Sequence, residues 1–162
     1  MGLLEDVVLK HSIEIRTTPE KIFDFFRHLH LGDNYRKWHP EDHVLIRWVE
    51  GEPWEEGSIV YAEQYAHGKL HKLKYIVMKV VPNREIEFSP LFWLWRIYFP
   101  KNTFSIEPRG ETSVFTAAAH LRVGWLVKKL ARKGFEAALE SGRQHISEEG
   151  ENLKRLLENP AA

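Results

Sequence analysis

The chain has 162 residues, 43% of them hydrophobic and 12% aromatic, which suits one packed domain and is too short for two. Its 23 basic residues balance 23 acidic ones, so no global field draws it to nucleic acid or to an anionic membrane. Without cysteine there is no disulfide framework and no thiolate metal site, so any metal must rest on histidine and carboxylate.

The first residues lack a basic region followed by an apolar one, and no apolar stretch approaches a membrane span. A cytoplasmic protein without stable membrane insertion is expected, as a monomer or homodimer. Residues 7–17 alternate apolar and polar and predict a first strand. Thr17-Thr18-Pro19-Glu20 is a helix start: a Thr cap, proline at the first helical position and an acid in the first turn. Ile22, Phe23, Phe25 and Phe26 form the apolar face of that short helix. Residues 28–38 read as a second short helix, interrupted at Gly32 and barred from continuing by Pro40.

From residue 44 to about 123 the pattern becomes successive strands, at 44–49, 58–65, 70–81, 85–88, 93–99, 103–107 and 113–122. Gly, Pro and Asn punctuate them, as in an antiparallel meander. Residues 91–99 are the most apolar stretch and read as pocket wall and core. After Gly124 the chain turns helical almost to its end, with Leu126, Leu130, Leu139, Ile146, Leu153 and Leu157 as its stripe. Lys128, Lys129, Arg132 and Lys133 read as a solvated face, and Gly134 and Gly142 leave room for a sheet to approach closely. Residues 1–158 are expected to form a single domain, with 159–162 a disordered tail.

Two polar signatures stand out. Trp38-His39-Pro40-Glu41-Asp42-His43 carries four potential ligands in a segment that proline keeps out of helix. His145 and Glu149, four apart on the C-terminal helix, share one face and can reach a common point, which is half of a divalent-metal site. His39 or His43, with a carboxylate such as Glu63, would complete it. On the strand from Ser58, the face of Ile59, Tyr61, Glu63 and Tyr65 is bulkier than that of Val60, Ala62 and Gln64, and is expected to face inward with Glu63. His120 and His71 are further acid–base candidates, and Tyr61, Tyr65 and Tyr75 are candidate hydrogen-bonding groups for a ligand.

The order of elements, the Thr-Thr-Pro-Glu-Lys-Ile-Phe-Asp-Phe-Phe start of the first helix and Trp38 ahead of the second strand resemble the START-related helix-grip superfamily. The resemblance covers essentially the whole chain. It implies an α+β fold in which a curved antiparallel sheet of six to seven strands wraps a long C-terminal helix. Two short helices follow the first strand, and a cavity for a small hydrophobic or aromatic molecule lies between sheet and helix. The polar pattern resembles the diacetylphloroglucinol hydrolases of that superfamily. That likeness implies a Zn2+ ion held by His43 or His39, Glu63, His145 and Glu149, with His120 or Tyr61 handling protons. The activity implied is zinc-dependent hydrolysis of a carbon–carbon bond in an aromatic or polyketide-like ketone. A metal-free carrier using the same cavity requires only the fold.

Overall fold

Alternating exposure along Leu4–Ile15 makes β1 an amphipathic strand, with Leu9 and Ile15 buried. The computed structural model describes residues 3–160. Thr18 caps α1 (Pro19–Arg27), its side chain accepting from the Lys21 N–H at 3.3 Å, and the helix buries Ile22, Phe23 and Phe26. The expected second helix is confined to α2 (Asn34–Trp38), because the chain takes a left-handed turn at Gly32 (φ 56°) just before it.

Six strands follow: β2 (His43–Glu50), β3 (Ile59–Ala66), β4 (Lys69–Val81), β5 (Glu85–Pro90), β6 (Lys101–Arg109) and β7 (Thr112–Gly124). With β1 they form one seven-stranded antiparallel sheet in the order β1-β7-β6-β5-β4-β3-β2. The β3–β4 hairpin closes on His67 and Gly68, both at positive φ (53° and 72°), the backbone that a two-residue primed turn demands. Residues 93–99, expected as a strand, instead hold a 3₁₀ turn, Trp93–Ile97. β5 and β6 pair directly from Glu85↔Ser105 to Phe88↔Asn102, which leaves the segment between Pro90 and Pro100 outside the ladder.

The C-terminal helical region is broken at Ala131 into α3 (Trp125–Leu130) and α4 (Arg132–Glu158). α4 crosses the sheet against β1, and its glycines set that approach. A Cβ at Gly142 would lie 2.8 Å from Leu9 Cδ1, and one at Gly150 would lie 2.8 Å from His11 Nδ1. Gly134, the other glycine expected to admit the sheet, has open space around it. The expected tail begins at Asn159, just past α4, and residues 161–162 lie outside the described residues. No helix among the described residues is long and apolar enough to cross a membrane.

Phe26 holds the core together. It is fully buried, stacks on Phe104 and Phe115 with ring centroids 4.9 and 5.5 Å away, and meets Trp38 edge-on at 5.3 Å. Its carbonyl also accepts from Trp54 Nε1 at 2.6 Å. Phe26→Ala is therefore expected to cost about 3–5 kcal/mol, read as a lower urea midpoint at unchanged slope.

Candidate functional site

Between the concave face of the sheet and α4 lies a cavity of about 520 Å³. Most of its wall is apolar, from residues such as Ile46, Val60, Phe88, Phe104 and Ile146. One end is polar, where the loop after α2 meets the middle of α4.

Local chemistry brings these two segments together. α2 stops before Pro40, and Trp38 at its end donates from Nε1 to the Glu149 carbonyl at 3.1 Å, tying the loop to α4. The chain then turns, with the His43 N–H donating to the His39 carbonyl at 2.9 Å, and enters β2 at His43. The His43 ring lies flat on the Tyr35 ring, 4.0 Å between centroids, and its Nδ1 bonds the Tyr35 carbonyl at 3.0 Å. A carbonyl only accepts, so Nδ1 carries the proton and Nε2 points away from it. That Nε2 lies 2.8 Å from Glu149 Oε1.

His145 repeats the arrangement from the helix. Its Nδ1 is 2.8 Å from Asp42 Oδ2 and its Nε2 is 2.9 Å from the same Glu149 oxygen. Two imidazoles, each anchored through Nδ1, thus aim Nε2 at one carboxylate that is almost fully buried. His39 is held differently. Its Nδ1 accepts from the Asp42 N–H at 3.2 Å, so its Nε2 donates to Glu148 at 2.8 Å. Of the two loop histidines proposed from sequence, His43 joins His145 and Glu149, and His39 braces the loop against α4. His39, Asp42 and His145 also lie close enough to share an ion, but that set reuses His145, and its atoms are already engaged: His39 Nε2 with Glu148, and His145 Nδ1 with Asp42.

Burial opposes the charge on Glu149, yet the hydrogen bonds and positive charge of His145 and His43 outweigh it and hold the carboxyl down at about 2. Burial likewise opposes charge on His145, and the carboxylates of Glu149 and Asp42 overcome it, raising the ring to about 9. Tyr75, on the cavity wall, is pushed up to about 12 by burial and then by the Glu149 charge. Tyr35 is raised well above the ordinary range by burial, with Glu149 and Tyr75 adding to it, and donates its hydroxyl to Gln64 Oε1 at 3.0 Å.

Other expected site residues lie elsewhere. On β3 the buried positions are Val60 and Ala62, with Gln64 lining the cavity, so the strand's parity is opposite to that expected. Glu63 and Tyr61 are on the outer face, bonded to each other at 2.6 Å, with Arg47 stacked on the Tyr61 ring. On this strand the inward set, Val60, Ala62 and Gln64, is the smaller one, and the bulk of the cavity wall comes from other strands through Tyr75, Phe88 and Phe104, so bulk misleads here. His120 alternates with the inward Ala117 and Ala119 of β7 and also faces out. Burial, then Lys101, lowers its pKa, against Glu87 and Asp6. His71 shares the inward register of Tyr75, as expected, but lies outside the cavity lining at the hairpin, 3.3 Å from the Ala66 carbonyl. Asp42 and Gln64 are site residues whose roles the sequence did not assign; Asp42 was visible only as one of the four potential ligands in the loop.

His43, His145 and Glu149 fit a divalent cation by donor chemistry: a carboxylate and two imidazole nitrogens, that of His145 once it gives up its proton, with each imidazole oriented from behind by a carbonyl or a carboxylate. Ligands about 2.0–2.2 Å from a tetrahedral zinc stand about 3.3 Å apart, so the two N···O separations of 2.8 and 2.9 Å need to lengthen by about half an ångström. Glu63 cannot be a fourth ligand from the outer face, and the inward residue beside it is Gln64.

The sheet gripping a long helix over a cavity defines a helix-grip protein. Over residues 6–158 the chain belongs to the polyketide cyclase / dehydrase and lipid transport family. Norcoclaurine synthase from Thalictrum flavum, solved as a point mutant with a transition state analogue, superposes with TM-score 0.68 at 13% identity, covering 100% of each chain. A Thermus thermophilus protein, TTHA0849, gives 0.67 at 12%, covering 96% of this chain and 100% of its own. Major latex-like protein 151 from Panax ginseng gives 0.60 at 15%, over 90% and 99%. At these identities the likeness is one of fold. No curated protein matches the chain.

Proposed function

We propose that the cavity binds a small, largely apolar molecule, aromatic or polyketide-like, and that His43, His145 and Glu149 hold a zinc ion at its polar end. The reaction that best suits such a site is hydrolysis of a ketone, with carbon–carbon cleavage as the form to test first. The observation that supports this is the pair of Nδ1-anchored imidazoles sharing one buried carboxylate oxygen. A neutral ring so anchored turns an Nε2 lone pair toward the carboxylate, which is repulsive unless a proton or a cation stands between. Zinc bound there would polarise a carbonyl or make a bound water acidic.

The chain's own groups supply the rest. Asp42 orients His145, the Tyr35 carbonyl orients His43, and the apolar wall would seat the apolar body of a ligand beside them. Tyr75, held protonated, offers a donor to a ligand oxygen on the wall. The test is turnover of acylated phenols, monitored for release of the carboxylic acid. Zinc-dependent release supports the reading; zinc-loaded protein that turns over none of them contradicts the reaction while leaving the site standing. Tyr75→Phe is expected to weaken binding of a phenolic probe roughly 3- to 10-fold, measured by fluorescence displacement, with an unchanged urea midpoint.

A metal-free carrier is the second reading. It is favoured by the outward position of Glu63 and by the hydrogen-bond spacing of the trio, and the family description includes lipid transport. Norcoclaurine synthase, of the same fold, has been solved with dopamine and hydroxybenzaldehyde, so this architecture accommodates aromatic molecules in that protein.

A further inference from the structure

The segment between β5 and β6 and helix α3 place their apolar side chains outward. Phe92, Trp93, Trp95, Trp125, Leu126 and Leu130 are between 50% and 77% exposed. None lines the cavity, contrary to the pocket-wall reading of residues 91–99. The two segments adjoin: the Tyr98 carbonyl accepts from the Arg122 N–H at 2.7 Å, just before β7 runs into α3. So large an exposed apolar surface is unusual for a protein that meets only water.

Its position follows from strand register. Past Pro90, the Leu91 N–H still bonds the Lys74 carbonyl at 2.9 Å, so the chain leaves β5 toward the β3–β4 turn. Tyr65, His67 and Gly68 at that turn are exposed and line the cavity, which makes them its rim. The apolar surface therefore lies at the mouth end of the sheet.

Its charge is one-sided. Residues 91–101 and 122–133 contain bases and no acid. Arg122, Lys128, Lys101 and Arg132 meet acids from neighbouring segments, while Lys129, Lys133 and Arg96 have no acidic partner among the described residues. Lys129 Nζ sits 5.1 Å over the Trp125 ring. Tryptophans and leucines fringed by lysines are the composition that settles at the headgroup level of a bilayer. A two-fold contact between copies would instead set this basic fringe against itself.

We propose that the surface built from residues 92–99 and α3 docks the protein on an anionic lipid bilayer, presenting the cavity mouth to the membrane so that an apolar ligand passes between them. The inference is independent of the metal. The chain's zero net charge is compatible with it, because the attraction is local.

The test is co-flotation of the full chain with vesicles of phosphatidylcholine alone and of phosphatidylcholine mixed with phosphatidylglycerol. Binding to the mixed vesicles is expected, weakened by salt, together with quenching of tryptophan fluorescence by brominated lipid. Trp93→Ser/Trp95→Ser and Lys129→Glu/Lys133→Glu should each reduce the bound fraction about tenfold or more, with urea midpoints unchanged because these side chains are largely exposed and the two lysines have no acidic partner among the described residues. Absence of binding to the mixed vesicles would overturn the proposal, as would equal binding by the variants. A concentration-dependent dimer in sedimentation velocity that the tryptophan variant abolishes, without vesicle binding, would reassign the surface to a contact between copies.

Discussion

Glu149→Gln is expected to reduce zinc affinity at least 100-fold and to destabilise the metal-free protein by about 3 kcal/mol at pH 6. Both effects trace to one oxygen. Glu149 Oε1 lies 2.8 Å from His43 Nε2 and 2.9 Å from His145 Nε2. An amide cannot supply the anionic ligand, and its NH₂ group would face a ring N–H if it turned. The stability figure follows from holding the carboxyl at about 2 against an ordinary 4.5, each unit being worth about 1.4 kcal/mol. Zinc titration against a competing chelator reads the first effect, and urea unfolding with chelator present reads the second. Asp42→Asn, which weakens the support behind His145 while sparing the ligands, should cost about 10- to 100-fold in zinc affinity. Wild-type affinity in both variants would place any bound zinc elsewhere.

Metal-free protein should be most stable between about pH 4.5 and 6.5. Glu149, depressed to about 2, contributes stability that is full above 4.5 and lost as pH falls toward 2. His145, raised to about 9, contributes stability that is full below 6.5 and lost as pH rises through 9. The two are partners in one interaction, so each limb loses the same contribution, about 3 kcal/mol, and the losses do not add. Zinc reverses the alkaline limb. A cation needs the neutral ring, so binding near pH 7 should release at least one proton, and affinity should climb with pH up to about 9. Calorimetry in buffers of different ionisation enthalpy measures that proton. A pH-independent urea midpoint from 4 to 10, or zinc uptake without proton release, would show that the His145–Glu149 pair is not formed.

Much of the fold was written in local patterns. The Thr18 cap with Pro19 set α1, His67-Gly68 and Pro82-Asn83 marked hairpins, and the spacing of Ile146, Leu153 and Leu157 aligned α4 on the sheet. The i, i+4 spacing of His145 and Glu149, and a proline-stiffened loop carrying His43, were enough to bring half of the candidate site together. The direction in which β3 faces was not legible. Size and charge point opposite ways on its two faces, since the bulkier face also carries the charged Glu63, and here the charge and not the bulk decides. That reversal moved Glu63 and Tyr61 outside and left Gln64 in their place. His120 could not be placed for the same reason, since parity along β7 is fixed only by its pairing with β1 and β6. The exposure of residues 92–99 was equally hidden, because an uninterrupted apolar run carries no period to say which side meets water.

The most direct test of the metal centre is elemental analysis of untagged protein purified without added metal, followed by dialysis against micromolar zinc. About one zinc per chain is expected, retained through gel filtration and lost in both His43→Ala and Glu149→Gln. Fully folded protein that arrives without metal and takes up none would contradict the site and leave the cavity to a carrier.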